Sequence, residues 1–344
     1  MRELPQSTQL LYTQLLSQCL QASSPASRGL SFVSKLIKGG RHWYLQLTIG
    51  SRKTQHYVGP DTPEVHTLIE NEKQLWKEAE PDRAAREQLV SMLISGGALT
   101  VSAAEARLLE VLERAGVFLL GGVLVGSHAF SIYGNMLGVE WPIRTLETHD
   151  IDIAGDERVT VGFEDQKTNL RQALLDSGMG VVEVPALNRK SPSTVFRIQG
   201  KQLSVDLLTP LVGKPTGKPV LIPALKTYAE PVRFLDYLME SAQPAVVVAR
   251  AGIIVNVPAP ARFALHKLVT AARRPAAQQT KVRKDLKQAE LLLEVLFRDR
   301  PGDISQAIKA ARQMPDKFFA QLASGAERLP DKSLKQLLEG GAGY

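Results

Sequence analysis

Residues 148–154 read Thr148-His149-Asp150-Ile151-Asp152-Ile153-Ala154. Acidic and β-branched residues alternate with period two, which is the repeat of a strand. The alternation predicts that Asp150 and Asp152 share one face while Ile151 and Ile153 enter a core on the other. Upstream, the apolar run from Val117 to Gly126 predicts a buried strand, and Ala129 to Leu137 a helix. Downstream, Leu203 to Leu208 predicts another strand, with Asp206 set among apolar neighbours. A buried acid without a partner is costly, so Asp206 needs a reason to be there.

If the strand of Asp206 lies beside that of Asp150 and Asp152, three carboxylates converge. Two like charges 4 Å apart repel by about 4 kcal/mol at an effective dielectric near 20. A divalent cation removes that cost, and hard oxygen ligands select Mg²⁺ or Mn²⁺. Two such ions suit in-line phosphoryl or nucleotidyl transfer. The Gly126-Ser127 turn at the start of a helix offers backbone N–H groups and the positive dipole end to a triphosphate. Other chemistries lack their residues. Gly121-Gly122…Gly126 does not have G-x-G-x-x-G spacing, no Lys-Ser or Lys-Thr follows it as a P-loop requires, and there is no G-x-S-x-G elbow. Cys19 is the sole cysteine and there are six histidines, which argues against a disulfide or a structural zinc site.

Gly126-Ser127, Asp150-Ile151-Asp152 and Asp206 together resemble the signature of the DNA polymerase β-like nucleotidyltransferase superfamily: a Gly-Ser turn, an Asp-x-Asp strand and a third Asp on another strand. Val123 to Phe130, Thr148 to Ala154, His266-Lys267-Leu268 and Lys284-Asp285-Leu286 resemble a bacterial subfamily of uncharacterised nucleotidyltransferases. Trp43-Tyr44-Leu45 with Tyr57 to Asp61 look like that subfamily's N-terminal module. The resemblance to the superfamily covers about 118–210, that to the subfamily roughly 28–298. It implies transfer of a nucleoside monophosphate from an NTP to a hydroxyl acceptor, with release of pyrophosphate. Asp150, Asp152 and Asp206 would then be the catalytic metal ligands, and Gly126, Ser127 and Lys267 would hold the triphosphate. Lys284-Asp285 resembles a late motif of toxin-like relatives, where the acid positions the site; a surface charge network is the other reading. Some relatives act in toxin–antitoxin or phage-defence systems.

Other candidates come from position alone. Arg144, in the loop before the Asp-x-Asp strand, and Arg273-Arg274 are placed to meet phosphate or nucleic acid. His128 and His149 flank the motif as packed or capping residues, or as catalytic ones. Trp43, Tyr44 and Tyr57 are base-stacking rings or core, with core expected for at least one.

The remaining chain sets the organisation. Its 344 residues, 44% apolar and 22% charged, describe a globular protein of two or three domains. Residues 7–21 have helical apolar spacing. Residues 28–60 read as a basic β-hairpin or three-stranded element, and 62–95 as charged helix broken at Pro81. Ser102 and Glu105 form a capping-box pair that opens a helix. A helix is expected over 165–177 and strands over Val181–Leu187 and Val195–Gln199, with Val220-Leu221-Ile222, Val246 to Val248 and Gly252 to Val255 completing the sheet. Helices fill 260–274, 280–298, 303–312, 315–323 and 331–338. The expected fold is α/β (α+β): an N-terminal helix and basic β-rich module over 1–60, a helical linker over 61–116, a polymerase β-like core with a mixed sheet over 117–257, and a helical C-terminal domain over 258–344.

Charge is unevenly spread over a net +7 chain. Residues 28–59 carry six basic side chains and no acid, and 262–287 carry eight against Asp285. Such clusters point to a polyanion, with nucleotide or RNA as the partner, or to a solvated face. The acceptor stays open among RNA or a tRNA 3′ end, a protein side chain and a small molecule, and the basic N-terminal module favours RNA. A non-catalytic nucleic-acid-binding protein retaining the fold is the alternative. The longest apolar run is too short for a bilayer and no signal-peptide pattern follows Met1-Arg2-Glu3, so a cytoplasmic protein is expected.

Overall fold

The computed structural model describes residues 1–23, 30–37, 39–49, 52–75, 83–142, 150–157, 169–186, 188 and 191–339. The chain forms two compact units. One comprises Met1–Leu208, Pro219–Glu230 and Gln243–Val257; the other comprises Thr209–Lys218, Pro231–Ala242 and Pro258–Tyr344. In chain order the elements are β1 (Arg2–Glu3), α1 (Gln6–Ser23), β2 (Leu30–Ile37), β3 (Gly40–Ile49), β4 (Arg52–Pro60), α2 (Pro63–Leu75), α3 (Arg83–Ser95), α4 (Ala103–Arg114) and β5 (Val123–Leu124). Next come α5 (Gly126–Leu137), β6 (Val139–Glu140), β7 (Asp150–Ala154), α6 (Leu170–Leu175), β8 (Val181–Glu183), β9 (Val195–Ile198), β10 (Ser204–Pro210), β11 (Val220–Ile222) and β12 (Thr227–Val232). The chain ends with α7 (Leu235–Met239), β13 (Gln243–Val247), β14 (Ile253–Val257), α8 (Pro260–Arg273), α9 (Gln279–Asp299), α10 (Pro301–Ala311), α11 (Asp316–Glu327) and α12 (Ser333–Glu339).

A seven-stranded mixed sheet organises the first unit, with order β11-β12-β10-β7-β5; β9 also pairs with β10, and β8 with β9. The pair β7/β10 is parallel and β5/β7 antiparallel. Ile151 and Ile153 on β7, and Val205 and Leu207 on β10, are at most 1% exposed. This inner face leaves the alternate residues, the acids, on the other side.

The N-terminal segment folds as expected and packs on the same unit. Tyr12, Leu15, Leu16 and Cys19 of α1 are buried. The Tyr12 hydroxyl accepts from the Val246 N–H at 3.2 Å, and the Cys19 thiol donates to the Ala251 carbonyl at 3.4 Å. β2, β3 and β4 form an antiparallel three-stranded sheet. Phe32, Leu45, His56 and Val58 form its buried face, and the His56 ring hydrogen-bonds to the Pro244 carbonyl. Trp43, Tyr44 and Tyr57 are all half-buried, so the expectation of a core aromatic among them is corrected: Phe32 fills that role.

Three further expectations change. The run Val117 to Gly122 is turn rather than strand, closed by Leu120 N–H to Gly116 O and Gly122 N–H to Val117 O, both 2.9 Å. Only Val123 and Leu124 pair in the sheet. Val117, Phe118 and Leu120 are buried and Leu119 is 63% exposed, and a short apolar run cannot by itself separate such a turn from a strand. Asn256 ties the turn down by donating to the carbonyls of Phe118 and Gly122. Secondly, β13 and β14 pair only with each other, as a separate two-stranded sheet among the described residues. Thirdly, the helix expected at 165–177 spans Leu170–Leu175, and the strand from Val181 ends at Glu183; 165–168 and Leu187 lie outside the described residues, as does Pro81.

Glu113, at the end of α4, accepts a hydrogen bond from the Ile254 N–H at 2.8 Å. Burial raises its pKa to about 7, against the ordinary 4.5. The folded chain therefore holds this proton more tightly than the unfolded chain. The resulting stabilisation is complete below about pH 4.5 and is lost as pH rises to about 7. Glu113→Gln keeps the acceptor and removes the titration. Its melting temperature should match the parent near pH 4.5 and exceed it at pH 8, by a difference worth about 2–3 kcal/mol. A gap independent of pH would refute the assignment.

In the second unit, α8 packs against α9, α10 and α11. Phe318 of α11 is fully buried against Phe234 and Tyr237, and the Tyr237 hydroxyl donates to the Ala307 carbonyl at 2.9 Å. Gly325 lies so close to the Leu268 backbone that a Cβ would collide with it. Among the described residues no helix is long and apolar enough to cross a membrane.

Candidate active site

The parallel register of β7 and β10 sets Ser204 beside Asp150 and Asp206 beside Asp152. Four polar side chains thus share one patch of the sheet. The Ser204 hydroxyl lies 2.8 Å from Asp150 Oδ1 and 3.2 Å from Asp206 Oδ1. One hydroxyl carries one hydrogen, so it can donate to only one of these oxygens. Burial raises the Asp206 pKa, and the neighbouring Asp150 charge adds to that rise.

Asp152, on the same face, lies at the start of α5. Its carboxylate lies against Gly126, the first residue of α5, where a Cβ would overlap Oδ2. Gly126 has φ +66°, a left-handed conformation that glycine adopts at little cost. The turn is locked by the Val125 N–H donating to the Asp152 carbonyl at 2.9 Å. The positive end of the α5 dipole therefore sits beside the Asp152 carboxylate. Ser127 follows in the first turn, 8% exposed.

A second layer lies behind Asp150. The His128 ring contacts the Asp150 carbonyl through Nδ1 and Glu105 Oε1 through Nε2, each at 3.1 Å. Burial pushes the Glu105 carboxyl upward, but hydrogen bonds from His128 and Ser102 outweigh it and hold the pKa at about 2. Glu105 also completes the capping box with Ser102. One acid thus closes the start of α4 and anchors the histidine behind the Asp-x-Asp strand. Sequence reasoning took Glu105 only as a cap and passed over Ser204. The available signal was that Ser204 precedes Asp206 by two in a strand, and so shares its face.

Arg144 and His149 lie outside the described residues. Lys267 belongs to the second unit, where its ammonium is 2.8 Å from Asp285 Oδ1, and Arg274 Nε is 2.6 Å from Asp285 Oδ2. Asp285 is 2% exposed, so one buried carboxylate carries two cations and the cluster is net positive. The adjacent His266 is pushed down to about pKa 4, chiefly by burial and next by Lys267.

Among the described residues no group of three or more His, Cys, Asp or Glu side chains is placed to hold a metal ion. Asp150 and Asp206 both contact the Ser204 hydroxyl, and Asp152 lies against Gly126. The donor set itself consists of hard oxygens on two neighbouring strands, the kind that Mg²⁺ and Mn²⁺ take.

A mixed sheet with an Asp-x-Asp strand parallel to a second acidic strand, beside a Gly-Ser helix start, is a nucleotidyltransferase-type α+β fold. A family model described as nucleotidyltransferase matches residues 103–313, and the chain belongs to that family. It is a nucleotidyltransferase. No curated protein and no solved structure matches it.

Proposed function

We propose that the chain transfers a nucleoside monophosphate from an NTP to a hydroxyl acceptor, releasing pyrophosphate, and that Asp150, Asp152 and Asp206 form its catalytic centre. The observation that carries this reading is the β7/β10 register, which sets Asp206 beside Asp152 and joins Asp150 to Asp206 through one serine hydroxyl. These three carboxylates would hold Mg²⁺ or Mn²⁺. When bound, the ion supplies charge neutralisation at the transferring phosphoryl group and lowers the pKa of the attacking hydroxyl. Asp206, the acid with the raised pKa, is suited to accept the proton of that hydroxyl. Gly126 and Ser127 offer backbone N–H groups to the triphosphate. Lys267, on the strength of the family resemblance, and Arg144, from its position just before the Asp-x-Asp strand, enter as further triphosphate ligands. The acceptor is RNA, a tRNA end or a protein hydroxyl, in a cytoplasmic setting that suits a chain with one buried thiol.

The test is incubation of the protein with each α-³²P-labelled NTP, Mg²⁺ or Mn²⁺, and total tRNA or lysate. Label should pass into RNA or protein, and excess EDTA should stop it. Undiminished labelling in EDTA would overturn the metal assignment. No transfer from any NTP to either pool would overturn the acceptor reading.

A further inference from the structure

The β2-β3-β4 sheet has an outer face that the transfer chemistry does not use. Register places Val33 opposite Tyr44, Lys35 opposite His42, Tyr44 opposite Tyr57, and Gln46 opposite Gln55. Phe32, Leu45, His56 and Val58 alternate with these residues and are buried, which sends the first set outward. Lys35 is exposed, and Val33, His42, Tyr44, Gln46, Gln55 and Tyr57 are half-exposed. Strand alternation alone would fill such a face with short polar and charged groups. Here its centre is two tyrosines in edge contact, with ring centroids 5.5 Å apart. The Lys35 ammonium sits 5.0 Å from the Tyr44 ring centroid. The Tyr57 hydroxyl is 3.0 Å from His42 Nδ1, and Gln55 donates to Gln46 at 2.7 Å. The surrounding stretch, 28–59, contains six basic residues and no acid. The nearest following acid, Asp61, is engaged by Trp43 and His66.

From these observations the geometry points to a binding platform for single-stranded polynucleotide on the outer face of β2-β3-β4. Aromatic rings on an open sheet offer π surfaces that any unpaired base can cover, which requires bases freed from a duplex. Lysine and the basic stretch attract the phosphate backbone. The His42, Gln46 and Gln55 side chains carry donors and acceptors at the height of the rings, where base edges and ribose hydroxyls would lie. A protein partner would find few large apolar side chains here, and a duplex would expose no base face to the tyrosines. The platform deepens the reading that the acceptor is RNA, because it gives a polynucleotide a place to dock on the same unit as the acidic centre.

Binding can be measured without catalysis, which separates this inference from the proposed reaction. Full-length protein, in EDTA and without NTP, is titrated by fluorescence anisotropy against a labelled pyrimidine-rich 12-mer RNA, its DNA counterpart and the RNA duplex. Binding of a single strand well above the duplex is expected. Tyr44→Leu and Tyr57→Leu should each weaken it about 5- to 150-fold, while Tyr57→Phe, which keeps the ring, should not. Lys35→Gln should reduce the salt slope by about 0.7. Equal affinity for RNA and DNA would mean recognition by stacking and phosphate alone; preference for RNA would add the ribose 2′-hydroxyl; both support the platform. If the leucine variants lose their fold, photo-crosslinking of a 4-thiouridine 12-mer to the parent protein should mark residues 42–57. Failure to bind either single strand, equal binding of the duplex, competition by polyglutamate as effective as by RNA, or crosslinks confined elsewhere would overturn the proposal. A protein that binds RNA but transfers nothing leaves the platform standing and the transfer reading refuted.

Discussion

Asp206→Asn is expected to remove nucleotidyl transfer while leaving the chain at least as stable as the parent above neutral pH. Loss of one preorganised electrostatic group at a reacting centre typically costs about 10²–10³-fold in kcat, and on the proposed reading the same change also removes a metal ligand. Stability should move the other way. The Asp206 pKa is raised by burial and then by Asp150, so the folded state disfavours its ionised form. The stabilisation from holding that proton is complete below the ordinary value of 3.8 and is lost as pH rises through the folded-state value. Asn does not titrate and can still donate to the Ser204 hydroxyl. Its melting temperature should equal or exceed the parent's at pH 8. A structural role for Asp206 would require the opposite, a destabilised but active protein. Full activity in this variant would remove Asp206 from the centre.

Gly126→Ala should be nearly as damaging to activity, for a different reason. Residue 126 has φ +66°, where a side chain costs roughly 1–2 kcal/mol. The new methyl would also overlap Asp152 Oδ2. That oxygen ends a short side chain that can rotate away, so the collision would be relieved by displacing a carboxylate of the proposed centre. Gly116→Ala provides the control: its φ is +73°, and a Cβ there would meet nothing within 4 Å. Both variants should lose similar stability in thermal melts. Only Gly126→Ala should also lose transfer, by about 10²-fold or more, and require more Mg²⁺ or Mn²⁺ for what remains. Equal activities in the two variants would show that Asp152 needs no particular position.

The parts of this centre legible in the sequence were those set by local periodicity. Alternation in Asp150-Ile151-Asp152-Ile153 fixes which side chains share a face, and the Ser102/Glu105 spacing marks a helix start whose cap is present. What stayed hidden depends on pairing between distant segments. Strand alternation puts Ser204 on the face of Asp206, but no local signal says that β10 lies parallel to β7 with Ser204 opposite Asp150, so its place between two acids is not legible. The same holds for Glu105, whose second partner, His128, is 23 positions away. The run at 117–122 misled because its apolar residues are buried through turns, and hydrophobicity reports burial without reporting backbone shape. Likewise β13 and β14 have strand periodicity, yet nothing in that periodicity names the strand they pair with.

The attachment of α1 has a consequence for the order in which the chain becomes folded during synthesis. Its Tyr12 and Cys19 contacts reach residues 234 and 232 positions further along. Until that region has left the ribosome, the part of the first helix that meets β13 and β14 has no surface to cover it, although α2, α3 and α5 pack on the rest, and closing so long a loop is slow. Complete docking of the first helix therefore waits on β13 and β14, which follow both acidic strands in the chain. A polypeptide stopped between residues 206 and 243 would carry all three aspartates and a first helix still bare where β13 and β14 belong, a combination that protein quality control can recognise and remove.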